Sequence, residues 1–164
     1  MEVLLYPASI YDMKILDVLK KKAIIADLKA KDKKGILEEL VTPVASIANI
    51  SKDDLTRVLL DRERLGSTGI GGGIGIPHGK MKGLDSLILG FGLSKKGIGF
   101  ESIDGRPTYI FFLLITPENS TGLHLKVLAR ISRILKNDLF KEKLMGASDI
   151  DEIYNIIKEE DEEF

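Results

Sequence analysis

Three polar side chains in this sequence stand out from their neighbours, and all three are suited to handling an anion. The first, His78, is one of only two histidines. It closes the run Gly66-Ser-Thr-Gly-Ile-Gly-Gly-Gly-Ile-Gly-Ile-Pro-His-Gly79, in which seven of fourteen residues are glycine, from sixteen in the whole chain. Such a run gives the backbone access to positive φ and to close approach by another molecule, and Pro77 then fixes φ directly before the imidazole. A histidine presented for chemistry and a hydrogen-bonded histidine in a glycine turn both fit this pattern. The second, His124, is followed by Val127, Leu128, Ile131 and Leu135 at helical spacing, which puts it on a buried stripe near a helix start. A satisfied core histidine fits that position. So does a neutral imidazole donating one N–H to an anion at a helix N-terminus, where the dipole disfavours imidazolium. The third is Arg62, three residues past Leu59 and four past Val58, on a stripe that Leu55 and Leu65 also mark. An inward arginine needs an anion: a carboxylate partner, an escape to solvent along its stem, or a phosphate.

Other chemistries fit less well. The dinucleotide pattern G-x-G-x-x-G lacks its last glycine in either register, and the P-loop pattern fails because Met81 follows Gly79-Lys80 and Ile74 occupies a required glycine position. Two histidines, no cysteine and no His-x-x-x-His spacing make a poor metal ligand set, so no metal or cofactor is expected. Ser67 and Ser120 each lie near one histidine, but no Gly-x-Ser-x-Gly elbow is present. Lys126, Arg130 and Arg133 form a basic stripe on the back of the late helix, expected to be a solvated face or a docking edge.

The elements that must position these residues follow from periodicity. Ala23–Leu28 is a short apolar strand candidate; Lys33 to Ala48 carries a helical stripe through Ile36, Leu37, Leu40, Val41, Val44 and Ile47, which Pro43 is expected to kink or interrupt. Ser51 with Asp54 forms a cap opening a helix to Leu65. Ser86–Leu93 and Thr108–Thr116 are the best strands, the second apolar on both faces as in a sheet covered on both sides. A polar loop at Pro117–Gly122 leads to a helix over Leu123–Lys136, two shorter amphipathic helices follow, and the acidic tail Glu159–Phe164 is expected to be solvated and frayed. Interleaved helices and strands indicate α/β layers around one sheet.

At 164 residues, 44% hydrophobic and 30% charged, the chain reads as a single globular domain over 1–164. A net charge of −1 gives no electrostatic case for nucleic acid or anionic membrane, and no apolar run approaches the roughly 18–20 residues needed to span a bilayer. The start, Met1-Glu-Val-Leu-Leu-Tyr-Pro7, is unlike a secretory leader, so a cytoplasmic protein is expected.

The segment Arg62 to Lys80, the stretch Ile98-Gly-Phe-Glu-Ser-Ile-Asp-Gly-Arg-Pro107 and the helix His124 to Leu135 resemble the enzyme IIA domains of the bacterial sugar phosphotransferase system, in their fructose, mannitol and nitrogen-regulatory branch. The resemblance runs from about Ile15 to Ile157. It implies a three-layer α/β/α sandwich around a mixed sheet of about five strands. It also implies that His78 accepts a phosphoryl group on Nε2 from the phosphohistidine of HPr or its nitrogen-branch paralogue, with His124 as supporting histidine and Arg62 as active-site arginine. The group would then pass to an enzyme IIB of a fructose-type permease. Alternatively, phosphorylation would govern binding to regulatory or transport proteins. A reading of another class is a metal-free hydrolase with His78 as general base. Apolar Ile70, Ile74 and Ile76 are expected to form a dry patch on which the carrier docks.

Overall fold

The computed structural model describes residues 13–163, so the Met1–Pro7 start and Phe164 lie outside it. After a single 3₁₀ turn (Ile15–Asp17), the chain runs β1 (Leu19–Ile25), α1 (Lys33–Ala48), α2 (Lys52–Arg64), β2 (Gly69–Gly71), β3 (Ile74–Gly75), β4 (His78–Met81), β5 (Ile88–Ile98), β6 (Thr108–Pro117), α3 (Thr121–Ile134), α4 (Asp138–Met145) and α5 (Ile150–Glu162). Among the described residues, six strands form one mixed sheet ordered β1-β5-β6-β3-β2, and β4 pairs with β6 as well. β1 lies parallel to β5, β5 antiparallel to β6, and β3 and β4 parallel to β6.

The sheet is covered on both faces, as the unbroken apolar run of β6 requires. Successive residues of a strand point to opposite sides. Phe112 and Leu114 accordingly enter a core with Val127, Ile131, Phe140 and Ile157. Phe111, Leu113 and Ile115 enter another with Leu37, Leu40, Leu55 and Leu59. Edge-to-face ring pairs anchor each side, Phe91 on Phe112 at 5.0 Å and Phe100 on Phe111 at 5.2 Å between centroids. The fold is therefore an α/β/α sandwich with α1 and α2 on one face and α3 to α5 on the other. Among the described residues, no helix is long and apolar enough to cross a membrane.

Four expectations need correction. The sheet has six strands rather than about five, because the glycine run is not an open loop. Gly72 and Gly73, at φ 65° and 81°, make the two-residue turn of a β2–β3 hairpin. Positive φ at both central positions is what a type I′ turn demands and what non-glycine residues resist. β1 begins at Leu19, ahead of Ala23. Its exposed Lys20, Lys21 and Lys22 are tolerated because β1 is an edge strand, where charge also discourages stray pairing. Of the two outcomes expected at Pro43, a kink or an interruption, the interruption does not occur: α1 continues through it, with Leu40, Val41 and Val44 buried on either side. The acidic tail stays helical to Glu162, because Asp161 is buried and takes hydrogen bonds from Arg130 Nε and Nη2 at 2.9 and 2.8 Å and from the Leu16 amide at 3.2 Å. Arg130 thereby leaves the solvated basic stripe expected for it: its side chain is only 15% exposed.

Candidate functional site

Among the described residues β4 pairs on one side only, along β6, and so brings His78 to the sheet edge between α2 and α3. The register sets His78 opposite Leu114 and Lys80 opposite Thr116, all on the α3 face, while Gly79 turns to α2. A Cβ at Gly79 would lie 2.8 Å from Val58 Cγ1, so glycine here is what lets α2 approach the strand. Pro77 lends its carbonyl to the Leu114 amide at 3.0 Å, fixing the backbone directly before the imidazole.

The protonation of His78 follows from one contact. Its Nδ1 lies 2.7 Å from the Ile76 carbonyl oxygen, which can only accept, so Nδ1 carries the hydrogen. In the neutral ring Nε2 then holds the lone pair. The pKa of the ring lies below the usual imidazole value. Burial lowers its pKa, the Ile76 bond opposes that, the Arg62 cation adds to the lowering, and Glu63 opposes it.

His124 lies in the first turn of α3, on the buried stripe where its spacing put it, with 6% of its surface exposed. Its ring meets that of His78 edge to face, 5.2 Å between centroids, and its Nδ1 is 2.7 Å from the Thr116 hydroxyl. Burial first, then the neighbouring His78 and Lys80, bring its pKa from 6.5 down to about 4. A histidine held neutral in the fold but free to protonate when unfolded takes stability away in acid, since the unfolded chain then binds more protons. Unfolding free energy is expected to fall as pH drops from about 6.5 to about 4, and replacing His124 with glutamine should flatten that slope. Denaturant titrations across this window check it; equal slopes for both proteins would contradict the assignment.

Arg62 sits in the last turn of α2 and lines the same cleft, though not by the geometry expected of it. The inward position of the stripe belongs to Glu63, following Leu55 and Leu59 at intervals of four; Glu63 is 8% exposed, whereas Leu65, beyond the helix end, is 85% exposed. Arg62 is half-buried at the edge, and its Nη1 donates to the Gly66 carbonyl at 2.9 Å. Among the described residues it has no carboxylate partner.

Glu63 went unnoticed in the sequence, although the interval from Leu59 marks it. It accepts from the Thr68 amide at 3.1 Å and from the Thr68 hydroxyl, and pairs with Lys33 Nζ at 2.8 Å. Thr68 in turn receives the Ile76 amide at 3.0 Å, and Ile76 holds His78. Lys80 was also passed over as a site residue. Period-two spacing puts it on the His78 face, and its Nζ donates to the Thr121 hydroxyl at 2.7 Å.

His78, His124, Arg62 and Lys80 thus line one cleft of about 460 Å³. Its apolar wall is not the isoleucine patch expected. Ile74 and Ile76 are core residues at 4% and 3% exposure, and only Ile70 is exposed. Leu125, 60% exposed, and Leu65 line the cleft instead, with Val58 and Leu128. Ser67 is no nucleophile for His78: its hydroxyl donates to the Phe100 carbonyl at 2.7 Å and accepts from the Gly69 amide at 3.0 Å. Two imidazoles held neutral beside two cations are chemically able to accommodate a dianionic group.

Comparison with known proteins gives the family of the chain. A nitrogen regulatory protein of Bradyrhizobium diazoefficiens is 39% identical over 145 residues, spanning 88% of this chain and 95% of that protein. A PTS system fructose-specific EIIABC component of Bacillus subtilis is 33% identical over 150 residues, which are 91% of this chain but 24% of that larger protein. The crystal structure of nitrogen regulatory protein IIA-Ntr from Neisseria meningitidis superposes with a TM-score of 0.81 at 33% identity, covering 86% of this chain and 97% of that one. With residues 17–160 matched by its family model, the chain belongs to the EIIA 2 family of the phosphoenolpyruvate-dependent sugar phosphotransferase system.

Proposed function

We propose that this chain is a phosphohistidine carrier in which His78 Nε2 accepts a phosphoryl group from an HPr-like phosphocarrier and later gives it up to a second protein. The observation that carries the reading is the bond from His78 Nδ1 to the Ile76 carbonyl, which leaves Nε2 as the nucleophilic nitrogen. The Nε2 lone pair forms a bond to phosphorus as the N–P bond of the donor's phosphohistidine breaks, and that electron pair returns to the donor imidazole. Bonds made and broken are alike, so the transfer is close to isoenergetic and reversible, and the protein's task is positioning.

The arriving group brings about 1.5 to 2 negative charges. Arg62, with no carboxylate partner among the described residues, swings from the Gly66 carbonyl to the phosphoryl oxygens, and Lys80 and His124 flank them from the α3 side. The apolar wall of Leu65 and Leu125 excludes water around the transfer and receives the partner surface. Such a carrier works in the cytoplasm.

The onward acceptor defines two branches. Similarity to a fructose-specific permease component supports transfer to a cysteine or histidine of an enzyme IIB. Similarity along nearly the whole of a nitrogen regulatory protein supports phosphorylation as a signal that changes which regulatory or transport protein is bound. Incubation with a phosphorylated HPr-like carrier is expected to give an acid-labile, base-stable label that mass spectrometry locates on His78. Loss of the label to added enzyme IIB marks the relay, and its retention marks the regulator. An unlabelled chain would sink both.

Removing a supporting group should slow transfer without abolishing it. Arg62→Ala and His124→Ala are each expected to lower the labelling rate on the order of 10²-fold, the usual cost of one preorganised donor in a dry site. Rapid-quench labelling measures this, and parental rates in both variants would refute the assigned roles.

A further inference from the structure

The residue that decides whether His124 can help is hidden beneath it. Thr116, on β6, is fully buried, and its hydroxyl lies 2.7 Å from His124 Nδ1. Either group is able to donate in such a contact, and the two directions have opposite consequences for the cleft. If Nδ1 carried the hydrogen, the Thr116 hydroxyl would accept it and its own O–H would need a second acceptor. Among the described residues the hydroxyl has no other partner, so that hydrogen would be buried unsatisfied, at a cost of about 1–3 kcal/mol. If the hydroxyl donates, only an oxygen lone pair goes unused, which costs far less.

We propose that Thr116 is a positioning residue that donates its hydroxyl hydrogen to His124 Nδ1 and so fixes His124 as the Nε2–H tautomer. The inference rests on the carrier reading above, which it deepens by assigning the hydrogens. His78 is held as the Nδ1–H tautomer by a carbonyl that can only accept, and His124 is held as the opposite tautomer by a hydroxyl with nowhere else to donate. The two rings that meet edge to face are thereby unlike, one offering a lone pair and the other an N–H. That pairing suits the transfer: the lone pair attacks phosphorus, and the N–H is ready for a phosphoryl oxygen at the moment charge arrives.

The shared scaffold supports the assignment. Thr116 is the register partner of Lys80 on β4, two residues from His78, so strand pairing fixes the hydroxyl relative to the attacking ring. Among the described residues the one hydrogen-bond partner of the buried Thr116 hydroxyl is His124.

Nitrogen-15 NMR of the imidazoles at neutral pH reads the tautomers directly and needs no phosphoryl donor. The parental protein is expected to show His124 protonated on Nε2 and His78 on Nδ1. In Thr116→Val, a change close to isosteric, His124 should become a tautomer mixture and the labelling rate should fall about tenfold. Thr116→Ser should restore both. His124 protonated on Nδ1 in the parental protein overturns the proposal, as does Thr116→Val with an unchanged His124 spectrum and parental transfer. A chain that shows the expected tautomers but takes no label overturns the carrier reading and leaves the Thr116 assignment standing.

Discussion

His78→Ala is expected to take up no label from a phosphorylated HPr-like carrier, while keeping its fold. The reason is chemical rather than energetic. Among the described residues the cleft offers one other imidazole, and His124 is 6% exposed with Nδ1 against Thr116, which leaves it poorly placed for in-line attack. The substitution removes one hydrogen bond to the Ile76 carbonyl from a half-buried side chain, so stability should change by only about 1 kcal/mol. Urea denaturation next to labelling separates the two effects. Residual label at a sizeable fraction of the parental amount would mean that another side chain is the acceptor.

Glu63→Ala is expected to produce the largest loss of stability among single changes near the site, about 3 kcal/mol by urea denaturation. It removes the main partner of Lys33, whose side chain is 16% exposed, and strips the Thr68 amide and hydroxyl of their acceptor. The low end of the range for broken buried pairs applies because Glu101 still reaches Lys33 at 3.1 Å. For a domain of this size that loss corresponds to a fall in melting temperature on the order of 10 °C. Transfer should slow as well, since Glu63 holds Thr68, Thr68 holds Ile76, and Ile76 holds the Nδ1 hydrogen of His78. Glu63→Gln keeps an acceptor for Thr68 and should lose less. If the alanine variant proved as stable as the parent, the buried pair would have no role in the hairpin.

These two residues also show what the sequence disclosed and what it concealed. The sequence singled out His78 by its run of glycines and Pro77, and the structure sets it on the wall of a cleft. His124 was legible because helical spacing survives from its first turn to Leu135. Strand β6 was equally plain, since a run apolar on both faces has no other home than a covered sheet. Glu63 was not, because a helical stripe read without knowing where the helix ends can drift by one position. Leu65 seemed to extend the stripe, and Arg62 was credited with the inward place. The glycine run hid three short strands because strand signals rest on side chains that glycine lacks. Asp161 hid inside an acidic tail, where nothing in the local composition reveals an arginine arriving from α3.

The pairing of β4 with β6 has a consequence for how the molecule comes into being. The residues of the cleft come from α2, β4 and α3, and β4 reaches its partner β6 across the whole intervening β5 strand. Non-local pairing of this kind forms late, after the entropy of bringing distant segments together has been overcome. On the carrier reading, a copy in which β4 has not yet paired with β6 is expected to have its histidines but no assembled cleft to accept a phosphoryl group.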